Sequence, residues 1–300
     1  IRIPAGFTTE KIISMITRKK LGPPDIVHIH SLEFAHLALY IKRKWKIPYI
    51  YTLHSVVARN RQNRIYSRSN QQRLLRSAKM VVVPSEWERA AVIRAYPFCA
   101  GKILVIPHGV RVARGISRAS KFRLLYAGRL IPKKGIYQLV NAMKILRRKY
   151  PKAKLYIIGK DTSAVARAFK RRVQRSSLSG SVFWLGFYPH RRLLKAYRRF
   201  GAVVVPSRRE SFGLTALEAL ASGVPLVSTR AGGLRQFVSP KVAQVIPRVS
   251  AASIAAAIEA MWKSPVTTRQ RVLAGKKIAA AYNWPKAARR YRKLLTGGGA

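Results

Sequence analysis

The sequence predicts an α/β protein built from doubly wound parallel sheets. Three observations lead there. Ten short runs rich in Val, Ile and Leu are continuously apolar rather than alternating, which is how strands buried on both faces of a parallel sheet read. Helical patterns fall between them at a spacing that fits right-handed strand–helix–strand crossovers. The stretch 108–121, HGVRVARGISRASK, has no apolar periodicity. Read as a linker, it leaves four runs before it and six after, so the runs divide into two sheets rather than forming one large one.

In chain order, the first four candidate strands are IVHIH (26–30), PYIYTLH (48–54), MVVVP (80–84) and ILVIP (103–107). A basic helix is expected at Gln62–Lys79, with an ordinary solvated face. FRLLYAG (122–128), KLYIIG (154–159) and VFWLG (182–186) follow, and then AVVVP (202–206), VPLVS (224–228) and AQVIP (243–247). Helical periodicity covers Gly135–Arg148, Ala164–Ser176, Arg191–Arg199 and Leu214–Ala221. Two more helices, near Ala251–Lys263 and Thr268–Tyr282, precede a basic helix at Pro285–Leu295. The final LLTGGGA reads as a frayed tail. The expected division is a first domain over 1–110, a second over 111–283, and a C-terminal helix and tail over 284–300.

With 300 residues, 48% of them apolar, the chain can bury a sizeable core. Its charge is unusual: 60 Lys and Arg face 9 Asp and Glu, a formal +51. The excess runs through both halves, which points either to solvated basic faces or to a polyanionic partner. A single cysteine, Cys99, excludes an internal disulfide framework and a cysteine-based zinc site. No apolar run nears 18 residues, so no membrane-spanning helix is expected. The opening IRIPAGFTTEKIISMITRKK reads as neither a signal peptide nor a stop-transfer segment.

Chemistry concentrates in PSRRESFGLTALEALASGVPLVSTRAGG (206–233). A strand ends at Pro206, a loop carries Glu210, and a helix begins near Leu214 after Gly213. Unpaired N–H groups at such a helix start favour an anion, and glycine admits a ligand close to the backbone. Glu210 and Glu218 are eight residues apart, about 12 Å along the axis if the whole stretch were helical. That exceeds the roughly 5–9.5 Å of two carboxyls sharing one glycosidic bond. The spacing suits an elongated ligand touched at two places, such as a nucleotide sugar.

The run E-S-F-G-L-T-A-L-E-A-L-A-S-G-V-P resembles the E-x7-E signature of retaining glycosyltransferases with the GT-B fold, family 4 in particular. LLYAGRLIPKKGIYQLVNAM (124–143), VVVPSEWERAAV (81–92), ILVIPHGV (103–110), AKLYIIGKD (153–161) and VFWLGFYPHRRLLKAYRRFGAVVVPS (182–207) resemble the family's other segments in its order. DIVHIHS (25–31) and PYIYTLHS (48–55) do so more loosely. The resemblance covers roughly residues 25–285. It implies a GT-B-like protein of two Rossmann-like domains facing a cleft, acting as a retaining hexosyltransferase on a nucleotide-diphosphate sugar. Family members begin with a strand and a glycine-rich loop not found here, so the first domain is expected to be incomplete and turnover to suffer.

The resemblance also implies roles. Arg129 and Lys134 would hold the donor diphosphate, helped by the backbone of Phe212, Gly213, Leu214 and Thr215. Glu218 would accept from the ribose hydroxyls, and Glu210 would contact the transferred sugar. Gly186 and Tyr188 match the nucleobase position, and His54 matches a histidine facing sugar and acceptor. His28 and His30 alternate on one strand face with no third ligand in view, and read as packing or acceptor-side residues. His108 falls at the turn into the second domain. Cys99 has no role.

Neither a metal nor another cofactor is expected, because the cations replace a divalent ion and no D-x-D is present. FYPHRR after Gly186 holds no carboxylate to read guanine's two N–H donors, so a UDP-sugar is expected as donor. The acceptor is expected to be a glycan or a lipid-linked molecule. The expected location is cytoplasmic, with peripheral contact to anionic membrane as an added expectation. The alternative is a non-catalytic binder of nucleic acid or anionic lipid on a degenerate transferase fold, although no specific nucleic-acid motif is present. Acids are also missing where relatives carry them: PKKG lacks one before its lysine, Arg111 follows HGV, and Gly201 precedes VVVPS.

Overall fold

The computed structural model describes residues 14, 24–57, 66–160 and 164–296. The opening segment, the first residues of the expected helix at 62–79 and the GGGA tail lie outside the described residues. The chain forms two compact units, one of residues 1–107 with 290–300 and the other of residues 108–289.

In the first unit β1 (Val27–Ile29), β2 (Tyr49–Thr52), β3 (Met80–Val83) and β4 (Ile103–Val105) pair in parallel, in sequence order. Ile50, Val81 and Val82 are fully buried, as the unbroken apolar runs require. Three helices complete the crossovers: α1 (Ala35–Trp45), α2 (Arg68–Ser77) and α3 (Glu86–Ala95). Ser85 caps the α3 start: its hydroxyl accepts from the Glu88 N–H at 3.0 Å. Glu88 is itself buried and accepts the Val56 N–H at 2.9 Å.

The described part of the expected 62–79 helix is α2. Ser67 caps it by accepting the Asn70 N–H. It ends before Lys79, whose N–H instead donates to the Tyr49 carbonyl at 2.9 Å, the start of strand pairing. Gln71, Leu74 and Leu75 face the core while Arg73 and Arg76 are exposed.

The second unit holds β5 (Arg123–Ala127), β6 (Lys154–Ile158), β7 (Val182–Trp184), β8 (Ala202–Val205), β9 (Leu226–Ser228) and β10 (Gln244–Val245). All pairs are parallel, in the order β10-β9-β8-β5-β6-β7. The chain starts at the centre with β5, winds outward through β6 and β7, returns beside β5 as β8, and winds outward the other way. The helices are α4 (Ile136–Lys149), α5 (Ala164–Gln174), α6 (His190–Ala196), α7 (Leu214–Ala221), α8 (Ala251–Lys263) and α9 (Pro265–Ala280), and α10 (Trp284–Leu295) follows. Side chains alternate between two cores: Leu124 and Tyr126 pack on one face with α4 and α8, and Leu125 and Ala127 on the other with α7.

The irregular stretch 108–121 is tied down along this unit. Val110, Ala113 and Ser117 donate their N–H groups to the carbonyls of Tyr282, Ala221 and Gly223. In such sheets ligands bind outside the carboxyl ends of strands where the winding reverses, here between β5 and β8.

Candidate active site

Both arms of that reversal point carry predicted residues. After β8, Pro206 and Ser207 lead into the loop holding Glu210. This loop is not helical, because α7 begins only at Leu214, so the 12 Å helical spacing does not apply to the two glutamates. The turn after β9 fixes the loop. Thr229 Oγ1 donates to the Ser207 carbonyl at 2.7 Å and the Gly233 N–H donates to the Glu210 carbonyl at 2.9 Å. Gly232 adopts φ 63°, and a Cβ there would lie 2.2 Å from the Glu210 carbonyl oxygen. Gly213, at φ 100°, starts α7 without a side-chain cap; the Ala216 N–H turns back to the Gly213 carbonyl, and the N–H groups of Leu214 and Thr215 are the ones placed to meet an anion.

After β5, the Tyr126 hydroxyl donates to the Arg129 carbonyl at 2.7 Å and sets the turn. Burial, followed by the nearby Glu210 charge, pushes the Tyr126 phenol well above its usual range. The PKKG turn then delivers Lys134, whose Nζ lies 2.6 Å from Glu210 Oε1. The same oxygen accepts from Ser207 Oγ at 2.8 Å. Burial, then Arg129 and Lys134, lowers the pKa of neighbouring Lys133.

Gly128, Arg129, Lys134, Ser207, Glu210 and Thr215 line one cavity of about 190 Å³. Thr215 Oγ1 donates to the Ala127 carbonyl at 3.3 Å. Phe212 turns its side chain into the core, edge-on to His108 with centroids 5.2 Å apart, so only its backbone is available to a ligand. Leu214, half-buried, packs against the same core.

Glu218 points elsewhere, into the protein, and is 4% exposed. His190 Nε2 lies 2.6 Å from its Oε1, and the Tyr197 hydroxyl donates to Oε2 at 2.8 Å. Burial, and after it Glu218, raises the Tyr197 phenol well above its usual range, so it stays a donor. Sequence reasoning missed both partners. The signal was present: His190 opens a helix right after the β7 loop, and Tyr197 is the buried residue that ends it.

Gly186 (φ 71°) and Tyr188 follow β7 and are not among the residues lining the cavity. The Gly186 carbonyl accepts from the Gly159 N–H, and the Arg192 guanidinium lies 4.0 Å above the Tyr188 ring.

His54 belongs to the first unit, just past β2. Its ring stacks on His30 at 5.9 Å, and His30 lies 4.1 Å from His28. His28 Nε2 is 2.8 Å from Thr52 Oγ1. Burial, then His30 and His54, pushes His28 down to about 4. Burial also lowers His30, and burial with His30 lowers His54. Among the described residues no three His, Cys, Asp or Glu side chains are placed to hold a metal ion. Cys99 is buried in the first unit's core. Among the described residues no helix is long and apolar enough to cross a membrane.

A sequence model of the family "Glycosyl transferases group 1" matches residues 111–278, more than half of the chain and the whole of the cavity. The chain belongs to the group 1 glycosyltransferases. A second family, "Glycosyltransferase Family 4", matches residues 5–114. The glycogen synthase of Mycobacterium tuberculosis (strain ATCC 25618 / H37Rv) is 30% identical over 288 residues, covering 89% of this chain and 68% of that one. The D-inositol 3-phosphate glycosyltransferase of Arthrobacter sp. (strain FB24) is 28% identical, covering 96% and 75%.

Among solved structures, sucrose-phosphate synthase from Thermosynechococcus elongatus superposes with a TM-score of 0.80 at 25% identity, over 99% of this chain and 81% of that one. The Anabaena protein HepE, solved with UDP-glucose, gives 0.81 at 18% identity, over 96% and 82%. The glycosyltransferase fold is therefore GT-B-like, with two parallel-sheet α/β units.

Proposed function

We propose that this glycosyltransferase moves a sugar from a UDP-sugar to an acceptor hydroxyl with retention of anomeric configuration. The carrying observation is the convergence of Arg129, Lys134, Glu210 and the α7 start on one cavity at the reversal point of the sheet. Arg129 offers a planar fork and Lys134 a point charge to the diphosphate. With the α7 N–H groups they stabilise the negative charge that builds on the leaving phosphate as the sugar C1–O bond breaks. The acceptor oxygen then bonds to C1 from the same face, and its proton passes to the departing phosphate.

Glu210 accepts from hydroxyls of the sugar. Glu218 keeps a second lone pair on each oxygen beyond those used by His190 and Tyr197, and these accept from the ribose hydroxyls. Gly186 and Tyr188 take the base; the absence of a carboxylate in FYPHRR favours uracil over guanine. HepE, solved with UDP-glucose, supports the choice of nucleotide. No divalent ion is needed for donor binding.

The test is a panel of UDP- and GDP-sugars with glycan and lipid-linked acceptors, the product anomer read by NMR. Transfer from a UDP-sugar with retention is expected. An inverted product overturns retention, and a GDP preference overturns the base assignment. Binding that follows salt concentration alone, with no preference for nucleotide, would favour the polyanion binder.

A further inference from the structure

The group proposed for the phosphate and the group proposed for the sugar hold each other. Lys134 Nζ lies 2.6 Å from Glu210 Oε1, with side chains 18% and 12% exposed. The two partners are not equally mobile. The Glu210 backbone is clamped by Gly232 and Gly233, against which any Cβ would collide with the carbonyls of Glu210 and Ser211. Its carboxylate is further held by Ser207 Oγ, a buried hydroxyl. Lys134 has three rotatable donors on a flexible four-carbon stem. When partners change, the lysine moves and the glutamate stays.

We propose that Glu210 has a second task, the ejection of the spent nucleoside diphosphate by recapture of Lys134. This rests on the donor-site reading above. A bound UDP-sugar satisfies both groups: sugar hydroxyls donate to Glu210, and Lys134 turns to the diphosphate. Once the sugar has left, a largely buried carboxylate keeps only Ser207, an arrangement that costs free energy until a cation returns. The nearest cation is Lys134, then engaged with UDP. Its return removes one charge-assisted contact from the product and hastens release. The site thereby holds glycosylated nucleotide more tightly than the nucleotide alone, although the latter carries more charge.

The experiment is calorimetric and stopped-flow titration with UDP of the wild type, Glu210→Gln, Lys134→Met and the double variant. Gln is isosteric with Glu and keeps the acceptor for Ser207. In the Lys134-containing protein, Glu210→Gln should bind UDP on the order of tenfold more tightly, through slower release. In the Lys134→Met background the same change should do nothing. Equal tightening in both backgrounds would reduce the effect to simple repulsion and overturn the exchange while leaving the donor site intact, as would no tightening in either. Absence of UDP binding in the wild type would overturn the donor-site reading and the exchange with it.

Discussion

Gly135 sits so close to Pro206 that a Cβ built on it would lie 2.0 Å from the Pro206 carbonyl oxygen. This contact seats the PKKG turn on the end of β8, with the Arg208 N–H donating to the Lys133 carbonyl at 2.9 Å. The lysine therefore reaches the glutamate loop because its neighbour has no side chain. Gly135 also adopts φ 71°, which L-residues disfavour. Gly135→Ala should destabilise the protein by roughly 2 kcal/mol or more and weaken UDP binding. Gly180→Ala, with nothing within 4 Å of its Cβ, is the control and should be near neutral. Thermal unfolding and UDP titration read both; an unaltered Gly135→Ala protein would show that the turn is not so constrained.

Tyr197 and Glu218 form the second fixed contact. Tyr197→Phe leaves one buried carboxylate oxygen without its donor, which should cost about 1–3 kcal/mol of stability and loosen nucleotide binding. At Glu218 itself, Gln retains one acceptor for two donors and Ala retains none, so Glu218→Gln should lose less UDP affinity than Glu218→Ala. Urea denaturation with calorimetry measures both. Full affinity in all three variants would remove Glu218 from the ribose.

The strands were legible because most are unbroken apolar runs, a signal that needs no partner to be read, even where, as in β4 and β10, the strand is only partly buried. Glu210, Glu218, Arg129 and Lys134 stood out through local motifs. What was not legible depends on contacts across the fold. His190 and Tyr197 meet Glu218 from 28 and 21 residues away, a pairing that only the fold brings about. Glycine in place of an acid at Gly201 looked arbitrary, yet a Cβ there would lie 2.2 Å from the Ser120 carbonyl oxygen. His28, His30 and His54 became one cluster only when parallel pairing of β1 with β2 set His28 beside Ile50 and brought the strand ends together. The remaining positive charge has no account in the packing.

The proposed site predicts donor binding without a divalent ion. Two cations and the α7 start line the cavity proposed for the diphosphate, so UDP affinity should be unchanged when excess EDTA is added. Arg129→Ala should then create sensitivity where none existed, with magnesium partly restoring affinity. Abolition of wild-type binding by EDTA would overturn the cation assignment.

The last prediction concerns pH and lies away from the site. Glu259 on α8 accepts from Lys149 on α4 at 2.7 Å, from Lys263 at 2.8 Å and from the Tyr150 hydroxyl at 3.0 Å. The Lys149 hydrogen bond first, then those of Lys263 and Tyr150, bring its carboxyl from the usual 4.5 down to about 2. A folded pKa below the unfolded one means that the native state holds its proton less tightly. The stability this contributes is present above the unfolded value and is lost as pH falls toward the folded one. The difference in melting temperature between wild type and Glu259→Gln should therefore be constant at neutral pH, shrink below about pH 4.5, and vanish near pH 2. Lys149 and Lys263 are exposed, so 1 M salt should shrink the difference at every pH. A difference that holds its size down to pH 2 would show that Glu259 joins α4 to α8 by packing and neutral hydrogen bonds, with its charge contributing nothing.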